Sequence, residues 1–267
     1  MKLYRYITSV VLTLTTTVFS VQASETERKL SFVYDADYEM NFDNREYYKS
    51  SFSRSMTIFA SRITPAVGIS FNQNESTGHG LMIGADVMKD FGNPDARLLN
   101  EIVFHYTLDK QIRDTDLKIS AGIMPRSMMF DYYSEAFISD SLAFYDNNIE
   151  GLLIQIGRPS AEFELGCDWM GQYGPDSRER FMIFTSGEAR LSSVFSLGYA
   201  AVMYHFANSY TQKGVVDNIL LNPWIKFDFA GRINMQELSL RAGFLQGLQH
   251  DRVKYESFVC LVDSRSI

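Results

Sequence analysis

The groups in this chain able to move protons, bind anions or hold a metal are scattered carboxylates, arginines and four histidines. Two carboxylates facing each other at about 5 to 9 Å would suit glycoside hydrolysis. Asp35, Asp37, Glu39, Glu101, Glu150, Glu162, Glu164, Asp168 and Asp228 supply acids, but their order along the chain fixes no such pair. His79, His105, His205 and His250 show no H-x-x-x-H spacing, so no metal site is expected. Cys167 and Cys260 could pair in an oxidising compartment. Cys167, however, shares its parity with Phe163, Leu165 and Trp169, and the favoured reading is a small residue on an apolar face. The sequence contains no G-x-S-x-G, no Gly-rich phosphate loop and no calcium-type loop. The expectation is no catalytic residue, no metal and no cofactor, and hence no enzyme.

The elements that must position these groups have a period of two. In residues 30–42, Phe32, Tyr34, Ala36, Tyr38, Met40 and Phe42 share one parity, while Asp35, Asp37 and Glu39 share the other. Successive side chains of a strand point to opposite faces, so this segment has one greasy and one acidic face. A dozen residues at about 3.3 Å each span about 40 Å, enough for a tilted strand to cross a membrane. Eleven more segments read as strands: 56–71, 79–88, 97–108, 117–124, 151–157, 161–170, 179–186, 192–206, 218–230, 235–245 and 252–262. Pro223 cannot donate to a ladder, so a bulge or a strand end is expected there. Gaps after even-numbered strands are short and those after odd-numbered strands are mostly longer.

Composition narrows the classes. The 267 residues are 46% hydrophobic and 14% aromatic, which excludes a disordered chain, and two cysteines cannot build a disulfide scaffold. The net charge of −7 argues against a nucleic-acid surface, which needs a basic stripe. Residues 1–23 have a basic start at Lys2 and Arg5, an apolar stretch and a small residue, Ala23, at the end. That is the pattern of a secretory signal peptide, leaving 24–267 as a single domain.

The signal, the long alternating strands and the aromatic-flanked strand ends make the chain similar to a bacterial outer-membrane porin-type β-barrel. The resemblance implies an all-β, antiparallel, up-and-down transmembrane barrel with about twelve strands visible, and a location in the outer membrane. It departs from that family at its end, Asp263-Ser264-Arg265-Ser266-Ile267, where such barrels close on an aromatic residue. The implied activity is passive passage of small polar solutes. Pore-lining candidates are Asp35, Asp37, Glu39, Glu101, His105, Lys118, Glu162, Glu164, Asp168, Lys226, Asp228 and Arg241. Arg126, Tyr132, Tyr133, Arg178 and Arg180 are candidates for a constriction or rim. The aromatic-rich segment 125–150 either folds into the lumen or forms a further hairpin on the rim. The implied partners are outer-membrane lipid and small solutes, with a homo-oligomer compatible and nucleic acid excluded. Two rivals remain: a secreted or periplasmic β-sandwich that binds or hydrolyses carbohydrate, and a blocked barrel serving as a docking component.

Overall fold

The computed structural model describes residues 30–49, 55–95, 97–207, 209–210, 214–230 and 238–251, and the backbone of 255–266. The segment 1–23, expected to be a signal peptide, the turn at 231–232 and the Cys260 side chain lie outside the described residues. Twelve strands succeed one another: β1 (Leu30–Arg45), β2 (Met56–Asn74), β3 (Thr77–Asp90), β4 (Leu99–Ile112), β5 (Thr115–Pro125), β6 (Asn148–Arg158), β7 (Ala161–Gly171), β8 (Arg180–Arg190), β9 (Phe195–Phe206), β10 (Val216–Asp228), β11 (Ser239–Asp251) and β12 (Tyr255–Ser266). They form one sheet in sequence order, an antiparallel up-and-down meander consistent with a β-barrel. Two-residue turns at 75–76, 113–114 and 159–160 join β2 to β3, β4 to β5 and β6 to β7. Arg113 takes a left-handed φ of 59° in the second of these.

Packing divides the chain into two units, one of residues up to Phe71 with Gly80–Phe104, the other of Asn72–His79 with His105 onward. In the first, β1 and β2 pair from Leu30 opposite Phe71 to Arg45 opposite Met56. The sides alternate as the sequence predicts: Ala60, Arg62, Thr64 and Ala66 are buried, whereas Phe59, Ile63 and Val67 are exposed. Phe32, Tyr34 and Tyr38 are 70%, 58% and 42% exposed, so the greasy face of β1 is not part of a packed core.

The second unit has one covered and one open face. Along β7, Glu164, Gly166 and Asp168 are buried, and Phe163, Leu165 and Trp169 are exposed. Hydrogen-bonded neighbours continue the covered row across the sheet, Gly166 opposite Leu153 on β6 and Phe184 on β8, and Phe184 opposite Val202 on β9. These residues join Met124, Phe137, Ile149, Met182 and Ala200 in a continuous core. Fully burying a side chain such as Phe184 contributes about 2–3 kcal/mol. Leu152, Ile183, Leu197 and Ile225 crowd the opposite face and stay exposed.

Pro223 is neither at a bulge of its strand nor at a strand end. β10 runs through it with β9 paired throughout, while the ladder to β11 skips from Leu221 to Trp224 with no change of register. The Asn222 carboxamide donates to the Phe244 carbonyl at 2.8 Å, supplying a donor on the side where the proline has none.

Candidate functional site

The loop 126–147 between β5 and β6 builds the densest polar cluster of the second unit. It opens with a 3₁₀ turn, Arg126–Met128, and later forms a short helix, α1 (Asp140–Tyr145), capped by the Ser139 hydroxyl, which accepts from the Leu142 amide at 3.2 Å. Between them the chain lies on the covered face. Phe137 is buried in the core, and its carbonyl accepts from the Tyr204 hydroxyl at 2.8 Å. The segment forms no further hairpin, and it packs on the polar side of the strands, the side on which a lumen is expected.

Two adjacent tyrosines hold it there by the same device. Tyr133 meets the Phe184 ring edge-on, with centroids 5.8 Å apart, and donates to Glu164 at 2.9 Å. Tyr132 lies 5.6 Å from the Trp224 ring and donates to Glu162. Both supporting rings occupy the space above glycines: a Cβ at Gly166 would sit 2.1 Å from Phe184, and one at Gly198 would sit 2.0 Å from Trp224. Burial, and then the charge of Glu164, push the Tyr133 phenol above its usual range, which keeps it protonated and donating.

Glu164 is fully buried, and both of its oxygens are used. It accepts from the Phe130 amide at 2.8 Å, Gln155 Nε2 at 2.7 Å, the Tyr133 hydroxyl and the Ser186 hydroxyl at 3.4 Å. Asp168 accepts from Arg126 Nη2 at 2.8 Å and from the Glu150 amide at 3.0 Å. Carboxylates so committed anchor the segment and have little capacity to act as a base. Arg126 also donates from Nε to the Asp146 carbonyl at 3.0 Å and from Nη2 to the Asn148 carbonyl at 2.8 Å. Its Nη1 has no partner, although the residue is only 6% exposed.

A second polar group sits on β4 and β5. The Thr107 and Ser120 hydroxyls are 3.1 Å apart and both residues are buried. His105 lies two residues before Thr107 on the same face, 7% exposed, bonded to the Ile123 backbone and with Nδ1 unpartnered. A buried imidazole with a free ring nitrogen beside two hydroxyls can take and return a proton.

The remaining candidates are dispersed. Asp35 and Asp37 are exposed on β1, and Glu39 pairs with Arg62 at 2.5 Å. Glu101 is half-buried on β4, and Lys118 is half-buried opposite Gln155. Lys226 faces Arg241 across β10 and β11, and the Arg241 guanidinium lies 4.2 Å over the Trp224 ring. Asp228 is exposed and accepts from the Ala230 amide. Arg178 donates to the Ala207 and Gly214 carbonyls and Arg180 to that of Met170, so the arginine paired with Asp168 is Arg126. Sequence reasoning missed Thr107, Ser120, Gln155 and Ser186 as members of these clusters. Their signal was a polar residue on the covered parity of its strand.

Among the described residues no group of His, Cys, Asp and Glu side chains is arranged to hold a metal ion. No curated protein matches the chain. A family model described as Lipid A 3'-O-deacylase-type matches residues 23–242. That match overturns the porin-type resemblance, and the readings of porin and transport lose their support with it. It also overturns the expectation of no enzyme, because the family is defined by a deacylase. The absent serine-hydrolase motif misled there, because catalytic groups drawn from separate strands of a fold need leave no contiguous signature. With four-fifths of its length inside the match, the chain belongs to the lipid A 3'-O-deacylase-type family.

Proposed function

We propose that the protein is an outer-membrane enzyme that hydrolyses an ester-linked acyl chain of lipid A, as its family's description implies. The single observation that carries this reading is the family match over 23–242. The exposed apolar face of the strands supports a membrane location, since Phe32, Leu165, Ile183 and Ile225 are suited to hydrocarbon. Export through removal of residues 1–23 belongs to the same proposal, and outer-membrane lipid is then substrate as well as surroundings.

His105 is the general base. Its Nδ1 takes a proton from a water whose oxygen forms a bond to the ester carbonyl carbon. The tetrahedral intermediate collapses, the bond from that carbon to the sugar oxygen breaks, and the departing alkoxide takes the proton from the imidazolium. One water is consumed, and a fatty acid and a free sugar hydroxyl leave. The Thr107 and Ser120 hydroxyls offer hydrogen bonds that orient the water.

The test is incubation of the purified protein, folded in detergent micelles, with lipid A, followed by mass spectrometry. Loss of one acyl chain is expected, with the rate falling by about 10²- to 10⁴-fold in His105→Gln. Lipid A left intact by the wild type overturns the reading, and an unchanged rate in the variant removes His105 from it.

A further inference from the structure

We infer that Arg126 is the oxyanion-binding residue of this site, its Nη1 receiving the carbonyl oxygen of the acyl ester as negative charge develops there. The inference rests on the hydrolase reading and adds a residue that the family match does not name.

Arg126 presents five N–H donors in a rigid fork. Its Nε and Nη2 are engaged by the Asp146 and Asn148 carbonyls and the Asp168 carboxylate, which fix the plane of the guanidinium. Nη1, on the other edge of that plane, is buried without a partner. Leaving a buried donor unpartnered is costly, so one held firmly in place by its neighbours is suited to receive a ligand.

The surroundings say which ligand. From Asp168 the covered row passes to Gly151 on β6 and then to Gly122 on β5. Next to Gly122, on β4, is His105, bonded to the backbone at Ile123. Neither glycine raises a side chain, so in that sector no side chain of the row itself stands between the arginine and the histidine. Three strand spacings separate the backbones of Asp168 and His105, about 14 Å, with a long side chain reaching in from each end. One end of that sector carries an unpartnered donor with positive charge and the other an unpartnered proton acceptor. An ester carbonyl lying between them has its oxygen toward Arg126 and its attacking water toward His105. When the new bond forms to carbon, the C=O π pair moves onto oxygen and is met by the Nη1 donors. When that pair returns, the bond to the sugar oxygen breaks.

The test uses dodecylphosphonate, whose tetrahedral anionic oxygens mimic that intermediate, added to the full-length protein in micelles. Wild type should bind it, and Arg126→Gln should bind it at least about 30-fold more weakly, with partial recovery in Arg126→Lys. In the hydrolysis assay Arg126→Gln should lose about 10²- to 10³-fold in kcat with little change in KM. Phosphonate binding equal in wild type and a folded Arg126→Gln overturns the inference, as does failure of the wild type to bind. If Arg126→Gln does not fold, inhibition of the wild type by the phosphonate and by its uncharged dimethyl ester decides. Equal inhibition overturns the inference, and much stronger inhibition by the anion upholds it. A wild type that binds phosphonate through Arg126 without hydrolysing lipid A would instead defeat the hydrolase reading.

Discussion

The two faces of β7 obey one alternation rule but have opposite fates. Glu164 and Asp168 are covered, each oxygen engaged by donors from the loop 126–147 or from neighbouring strands. One residue away, Phe163, Leu165 and Trp169 are exposed, and Trp169 continues into a stacked column with Phe181 and His205. The polar face is therefore the dry, packed one and the greasy face is the open one, the reverse of a soluble sheet. That inversion is consistent with a hydrocarbon surround.

Three substitutions probe that inversion. Glu164→Ala removes the acceptor of four donors at once and should cost about 3–5 kcal/mol, seen as a lower urea midpoint in vesicles and faster proteolysis within 126–147. A loss under about 1 kcal/mol would mean that the segment is held by its apolar contacts alone. Leu165→Lys places a charge on the open face and should cost about 2–4 kcal/mol if that site lies near mid-membrane. The same unfolding assay reads it, and a neutral result would place the open face in water. Gly166→Ala should cost about 1–3 kcal/mol, because the new methyl meets the Phe184 ring. A tolerated alanine would show that the ring can lift and that Tyr133 does not depend on it.

The strands were readable because period-two patterning survives whatever covers each face. All twelve predicted segments coincide with observed strands, although β11 begins and ends several residues later than 235–245. The faces were harder. Residues 192–206 look apolar on both sides, because Ala200 and Val202 pack beneath Phe137 while Leu197 faces outward. A covering loop makes the covered face of β8 and β9 resemble the open face, and local sequence cannot tell one apolar partner from another. For the same reason nothing in the local pattern marks Gly166 as the seat of an aromatic ring. The cluster residues Arg126, Tyr132, Tyr133, Glu164 and Asp168 were each identifiable by type. Their joining was not, because Arg126 and Asp168 are brought together by a loop whose path no local pattern encodes.

The neighbouring anchors Tyr132 and Tyr133 constrain the length of the chain around them. Since each phenol must reach its own glutamate and its own ring, one extra or missing residue between 126 and 132 would throw both out of step together. From 134 to 137 the chain makes a turn, the Ser134 carbonyl accepting from the Phe137 amide at 2.8 Å, and its exposed tip at Glu135 and Ala136 is the place where such a change meets no anchor. Natural insertions and deletions should therefore gather after the second tyrosine and avoid the six residues before the first.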